Sequence, residues 1–160
     1  MKDWWKGQRG EWYVVIQIAL FVLVVWGPRG SGSFEIRASG FNTTEIVLGC
    51  MLMLMGGIFS AAGLLRLGKN LTPLPYPKSG SQLIQAGIFS IVRHPIYSGA
   101  ILASFGWAVY VNSWLTLVYA FLLFIFFDIK SRREERWLTE KFPDYPQYCR
   151  RVKKLIPFIY

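Results

Sequence analysis

A chain of 160 residues that is 53% hydrophobic and 17% aromatic is more apolar than an ordinary soluble domain, which runs nearer to about 45–50%. The excess lies in blocks, which indicates membrane spans rather than one large soluble core, and the length holds one compact bundle. The net charge of +9 falls where membrane topology asks for it, which excludes a nucleic-acid surface, and a single histidine with two dissimilar cysteines, Cys50 and Cys149, excludes a usual zinc site and a disulfide framework.

The first apolar block is Trp12 to Trp26, stopped by Gly27-Pro28. No small-residue cleavage site precedes that stop, so the block is expected to persist as a helix, with Trp4, Trp5 and Trp12 carrying it through the interface. Residues 29–44 are rich in Gly and Ser and are expected to form an outer loop. The second block runs from Glu45 to Leu67, with Thr43 or Thr44 as cap. Gly49, Gly56 and Gly63 recur every seventh residue, which keeps one face bare for a partner helix. The plainer alternative is that these are ordinary membrane glycines.

Residues 68–93 break the helical pattern. Pro73, Pro75 and Pro77 stand at alternate positions and remove backbone donors; Gly87 is free to take a positive φ. A long irregular loop of this kind in a compact domain is usually functional. The third block is Pro95 to Val111, with Gly99, Ala103 and Gly106 as a small-residue face. The fourth is Trp114 to Ile129, joined to it by Asn112-Ser113 as an antiparallel hairpin. A helix over residues 129–142 then leaves the membrane and stops at Pro143. The tail from Tyr145 to Tyr160, with Tyr148, Val152, Leu155 and Ile156 among Arg150, Arg151, Lys153 and Lys154, is expected to lie on an anionic membrane surface.

The expected architecture is therefore an all-α integral membrane protein with about four transmembrane helices and a C-terminal cytoplasmic amphipathic helix. It is one structural domain: an N-terminal two-helix region over 1–65 and a catalytic region over 66–160. Residues 66–93 carry Arg66, Lys69, Lys78 and Arg93 with no acid, and residues 128–160 hold more cations than acids. Positive loops stay in the cytoplasm, which puts both termini and the 66–93 segment on the cytoplasmic side.

The third helix opens on Arg93-His94-Pro95-Ile96-Tyr97-Ser98-Gly99. Proline is favoured at the first helical position, and a helix start offers free N–H donors and partial positive charge. Arg93 and His94 add side-chain donors, so the spot suits an anion near membrane depth. The hairpin returns the chain to the same side, bringing Lys130 to Glu135 beside Arg93 and His94. Taken singly, Arg93 reads as a head-group anchor, His94 as a turn cap and Glu134-Glu135 as solvated; together they read as a pocket.

The run from Leu83 through Gly99, with Glu134-Glu135-Arg136-Trp137-Leu138 and then Phe142, Tyr145, Tyr148, Val152 and Ile156-Pro157, resembles the isoprenylcysteine carboxyl methyltransferase family over about residues 66–160. Phospholipid N-methyltransferases look similar there. The resemblance implies a membrane-embedded enzyme using S-adenosyl-L-methionine, acting on a lipid or lipidated small molecule. It implies that Ser81, Gln82, Leu83, Ile84, His94, Pro95, Ile96, Tyr97 and Glu134 line the cofactor pocket. An arginine four residues before that glutamate serves the substrate in the family; here Lys130 stands there, with Arg132 and Arg133 just beyond. Phe89 stands where many members carry tyrosine. Lys130 is a point charge and cannot grip a carboxylate with a bidentate fork.

The parts suit that chemistry on their own terms. Helix-start N–H groups, Arg93 and His94 can take the cofactor's carboxylate, Glu134 its ammonium or ribose, and Phe89 and Tyr97 its adenine, with Gly87 allowing close approach. A carboxylate acceptor is ionised at neutral pH and requires no base; an amine acceptor requires one, for which Glu135 or His94 is the candidate. The expected reaction is methylation of the polar end of a lipid-like substrate, as in prenylcysteine. The competing readings are phospholipid head-group N-methylation, a sterol-reductase-like NADPH-binding membrane protein, and a non-catalytic scaffold.

Overall fold

The computed structural model describes residues 10–29 and 43–160. The extension by Trp4 and Trp5, the N-terminal charges and the outer loop over 30–42 lie outside the described residues. Among the described residues five α-helices follow in chain order: α1 (Glu11–Trp26), α2 (Thr43–Leu67), α3 (Pro95–Tyr110), α4 (Trp114–Lys141) and α5 (Tyr145–Arg151). Two short 3-10 turns interrupt the connecting loop, Gly68–Asn70 directly after α2 and Gly87–Ser90 before α3.

Local chemistry explains the boundaries. Pro95 begins α3, with His94 as its N-cap residue, and its fixed φ suits that position. Asn112 takes a φ of 47° in the tight turn, a conformation Asn tolerates better than most residues. Ser113 caps α4 by accepting from the Thr116 N–H at 3.2 Å, and its hydroxyl donates to the Arg29 carbonyl at 2.8 Å. The fourth block and the helix expected after it form one continuous 28-residue helix, because no Gly or Pro separates them.

Two helical stretches, Thr43–Asn70 and Trp114–Lys141, are long and apolar enough to cross a membrane by length and composition. The 16-residue α1 and α3 span about 24 Å each, short of a hydrocarbon core of about 30 Å.

The seven-residue glycine spacing on α2 is its packing face. A Cβ on Gly49 would stand 2.8 Å from the Gly106 carbonyl, and one on Gly56 would stand 2.7 Å from the Ala103 nitrogen. One on Gly63 would stand 2.8 Å from Ile96 Cγ1, whereas Gly57, outside the heptad, faces open space. The helices thus meet backbone to backbone, as small residues permit in lipid. Gly56→Leu is expected to destabilise by at least ~1–3 kcal/mol through overpacking against backbone that cannot yield, while Gly57→Leu is tolerated. Thermal unfolding of both variants in detergent is the check; equal melting temperatures would contradict this seam.

On the other side α1 packs against α4 through Tyr13–Phe126 and Phe21–Phe127, each pair with ring centroids 6.1 Å apart. Val24, Ile101, Leu123, Phe126, Phe127 and Leu155 form the core.

The tail departs from expectation. Only Tyr145–Arg151 is helical, and its apolar side is turned into the protein: Tyr145, Tyr148 and Val152 pack with Leu83, Leu138 and Phe142. Beyond it Val92 bridges Lys153 in parallel fashion, the Arg93 and His94 N–H groups donate to the Lys153 and Lys154 carbonyls, and Ser98 Oγ donates to the Leu155 carbonyl at 2.6 Å. From Tyr145 to Leu155 the apolar side of the tail is thus spent on protein, whereas Ile156, Phe158 and Ile159 beyond it stay exposed and remain free to meet lipid. Asp128 on α4 completes the fastening by accepting from Lys154 and from the Tyr160 hydroxyl.

Candidate active site

The inner stripe of α4 is Phe127, Lys130, Glu134 and Leu138, spaced three or four residues apart as one helix face requires. All four line a cavity of ≈ 530 Å³. Opposite them is the first turn of α3, His94 to Tyr97; above them runs the proline-rich strap from Leu71 to Ile84; behind them stand Tyr145 and Tyr148 of α5. Gln17 and Phe21 of α1 and Ser60 and Leu64 of α2 close the remaining side.

Aromatic stacking sets the cavity wall. The His94 ring lies on Tyr97 with centroids 5.3 Å apart and planes 4° from parallel, and Tyr97 lies on Phe127 at 4.7 Å. The Tyr97 hydroxyl donates to Glu134 Oε2 at 2.7 Å. His94 bridges the acidic pair, with Nε2 3.1 Å from Glu135 Oε1 and Nδ1 3.8 Å from Glu134 Oε2. Tyr148 donates to the Phe89 carbonyl at 2.5 Å, and burial raises its pKa beyond the usual tyrosine range. Burial, assisted by the Glu135 charge, does the same for Tyr145, so both stay neutral donors at physiological pH.

The strap is pinned to α4 at three levels. Lys130 Nζ donates to the Pro73 carbonyl at 3.2 Å, Tyr76 meets Trp137 edge-on at 5.4 Å, and Lys141 Nζ reaches the Lys78 carbonyl and Ser81 Oγ.

Of the residues expected at the site, Ser81, Gln82, Leu83, Ile84, Phe89, Arg93, His94, Pro95, Ile96, Tyr97, Lys130 and Glu134 line this one cavity. Four do not. Arg132 is exposed and paired with Asp128 at 2.8 Å, and Arg133 lies over the Trp137 ring at 4.4 Å. Arg132, two residues beyond Lys130 with each helical step turning by about 100°, faces away from its stripe; Arg133, three residues on, flanks the stripe and is taken up by the Trp137 ring. Glu135 is turned to Arg93 and His94, both of which meet its Oε1. Gly87 serves the turn instead of the cavity wall, with φ 68°. Arg93 borders the cavity, yet its Nε donates to Glu135 and its Nη1 to the Cys149 and Val152 carbonyls. Three donor contacts of the guanidinium hold protein, so it ties down the tail more than it grips a ligand. Lys130 does not pair with Glu134 at its i+4 position; its partners are Gln17 and Pro73.

A family model described as phospholipid methyltransferase matches residues 44–145. The chain belongs to the phospholipid methyltransferase family. A protein-S-isoprenylcysteine O-methyltransferase of Saccharomyces cerevisiae is 32% identical over 121 residues, 71% of this chain and 49% of that protein. A Gossypium hirsutum steroid 5-alpha-reductase is 36% identical over 83 residues, 51% of this chain and 31% of its own length. Among solved structures, the eukaryotic intramembrane Ras methyltransferase ICMT superposes with TM-score 0.72 at 22% identity, covering 95% of this chain and 54% of that one. This phospholipid methyltransferase family member is thus an all-helical membrane protein with the ICMT fold, and it spans about half the length of the curated relatives it matches.

Gln17, Phe21, Ser60 and Leu64 enter the site from helices that the motif does not reach. Their one sequence signal is Gln17, a single amide inside the apolar run Tyr13 to Trp26. Such polar groups at membrane depth are usually functional.

Proposed function

We propose that this chain is a membrane-embedded, S-adenosyl-L-methionine-dependent methyltransferase acting on the polar end of a lipid-like substrate, a carboxylate such as that of prenylcysteine. The observation that carries it is the one cavity in which His94 and Tyr97 face Lys130 and Glu134 beneath the strap. Its ≈ 530 Å³ lies within the range of small-molecule sites. Glu134 has lone pairs to spare for an ammonium or ribose hydroxyls, Ser81 and Gln82 add polar groups, and Phe89, Phe142 and Tyr148 offer surfaces for a purine. When bound, the cofactor supplies a methyl carbon already activated by its sulfonium. The chain's own residues hold, orient and exclude water; well-held reactants gain about 7–11 kcal/mol from position alone, and a carboxylate acceptor requires no base.

The lipid side of the cavity, formed by Phe21, Leu64, Ala100 and Phe127, suits an apolar chain entering between helices. Four spans with both termini and the site at the cytoplasmic face is the topology we infer; the cation excess of residues 66–93 and 128–160 supports it. Residues 66–160 form the catalytic region, with α1 and α2 closing its lipid side. Phospholipid N-methylation is less well served, because Lys130 repels a cationic head group and Glu135 is engaged elsewhere.

Calorimetric titration of the detergent-purified protein with S-adenosyl-L-methionine is expected to give saturable binding, and methylation of an S-farnesylated cysteine is expected with labelled cofactor. The steroid reductase similarity favours a second reading, a nicotinamide-binding enzyme. Heat with NADPH and none with S-adenosyl-L-methionine would select it.

A further inference from the structure

Lys130 is only 1% exposed, and it borders the cavity. Its ammonium donates to Gln17 Oε1 at 2.5 Å and to the Pro73 carbonyl at 3.2 Å, and lies 5.1 Å from the centroid of the Tyr97 ring. An ammonium carries three N–H donors, so two bonds leave one. Both partners are neutral. The carboxylate next along its own face, Glu134, accepts from Tyr97. Glu134 acts on the ammonium through space without bonding to it, and a buried cation whose hydrogen-bond partners are both neutral still favours an anion at its free donor.

Gln17 is what keeps the charge unspent. A glutamate at this position would reach equally far and neutralise the ammonium; the amide fixes it in place and leaves the charge intact. Resting on the methyltransferase reading above, we infer that Gln17 is a positioning residue that presents Lys130 to an anionic acceptor group, carboxylate or phosphate, and thereby selects anionic lipids over neutral or cationic ones. The alternative is that Gln17 merely staples α1 to α4.

The two roles part on charge. Gln17→Glu strengthens a staple but cancels the anion preference; Gln17→Leu removes the staple and leaves Lys130 unplaced. The probes are N-acetyl-S-farnesylcysteine and its carboxamide, which differ only in charge. Equilibrium binding to the detergent-solubilised protein is followed by tryptophan fluorescence, without cofactor. In a second arm, vesicles carrying phosphatidic acid are compared with vesicles of phosphatidylcholine alone, which separates a phosphate head group from a carboxylate.

The wild type is expected to bind the charged member at least about tenfold more tightly in one arm, the size of one charge-assisted hydrogen bond. Gln17→Glu is expected to bring that ratio to about one, with its melting temperature at or above wild type. If that variant does not fold, Gln17→Leu must lower the ratio instead. A wild type indifferent to charge in both arms, or a ratio that survives substitution of Gln17, overturns the inference. Failure of the methyltransferase reading would show separately, as no binding of S-adenosyl-L-methionine by the wild type, because the charge preference is measured without it.

Discussion

Arg93→Ala is expected to lower the unfolding free energy by ~3–5 kcal/mol, the usual cost of removing one partner from a buried, hydrogen-bonded ion pair. The guanidinium touches Glu135 at 2.8 Å and the Cys149 and Val152 carbonyls at 2.9 and 2.7 Å. The Arg93 and Glu135 side chains are only 12% and 19% exposed. Truncation leaves a carboxylate beside His94 with half its compensation and two carbonyls with a lost donor. Arg93→Lys recovers part of this, because a point ammonium cannot serve three directions from one plane. At about 2–4 °C per kcal/mol for a chain of this size, the melting temperature in detergent falls by on the order of 10 °C. Because the same guanidinium fastens the tail, trypsin should cut faster at Arg150, Arg151, Lys153 and Lys154 in the variant. Unaltered melting and unaltered cleavage together would contradict the role of Arg93 as a tie.

The sequence could not disclose that role. The tie runs from a side chain to main-chain carbonyls more than fifty residues away, and carbonyls leave no mark in composition or spacing. Arg93 was legible as a cation at a helix start, and that start at Pro95 is where α3 begins. The glycine heptad was legible for a sound reason: a helix–helix seam in lipid depends on small residues at fixed periodicity, which is a property of sequence. So was the Asn112-Ser113 turn, whose residue types match its backbone. The tail shows the limit of the same method. The spacing of Tyr145 and Tyr148 announces an apolar face, but periodicity does not say whether protein or lipid meets that face; Leu83, Leu138 and Phe142 do.

Adjacency in the chain does not fix where a side chain points. Arg132 and Glu135 stand beside Lys130 and Glu134 but on other faces of α4, and Arg133, three residues beyond Lys130, is taken up by the Trp137 ring. Gln17 was visible only as an exception within an apolar block. Its partner across the bundle, 113 residues away, required the fold. The pocket therefore has two origins: a motif-bearing half, α3 with α4 and the strap, and an unmarked half, α1 with α2, that contributes apolar wall, the Ser60 hydroxyl and the Gln17 amide.

The largest functional loss is expected at Glu134. It is the carboxylate that borders the cavity on the α4 stripe, half-buried at 25% side-chain exposure, with one oxygen accepting from Tyr97 at 2.7 Å. A hydrogen bond to a charged group is worth about 1.5–3 kcal/mol, so Glu134→Ala should weaken S-adenosyl-L-methionine binding by on the order of 10–100-fold. Glu134→Gln keeps an oxygen for Tyr97 and loses the charge, so it should fall between alanine and wild type. Tyr97→Phe should cost less than Glu134→Ala, because the hydroxyl acts by orienting the carboxylate. The double variant Tyr97→Phe/Glu134→Gln should show less than the sum of the two losses, as groups in contact do. The measurement is the dissociation constant by titration in detergent, with the melting temperature of each variant taken alongside. Wild-type affinity in Glu134→Ala would remove this carboxylate from the binding site; strictly additive losses would mean that Tyr97 and Glu134 act on the ligand separately, and the stacked wall of His94, Tyr97 and Phe127 would then be scaffolding for the lipid chain alone.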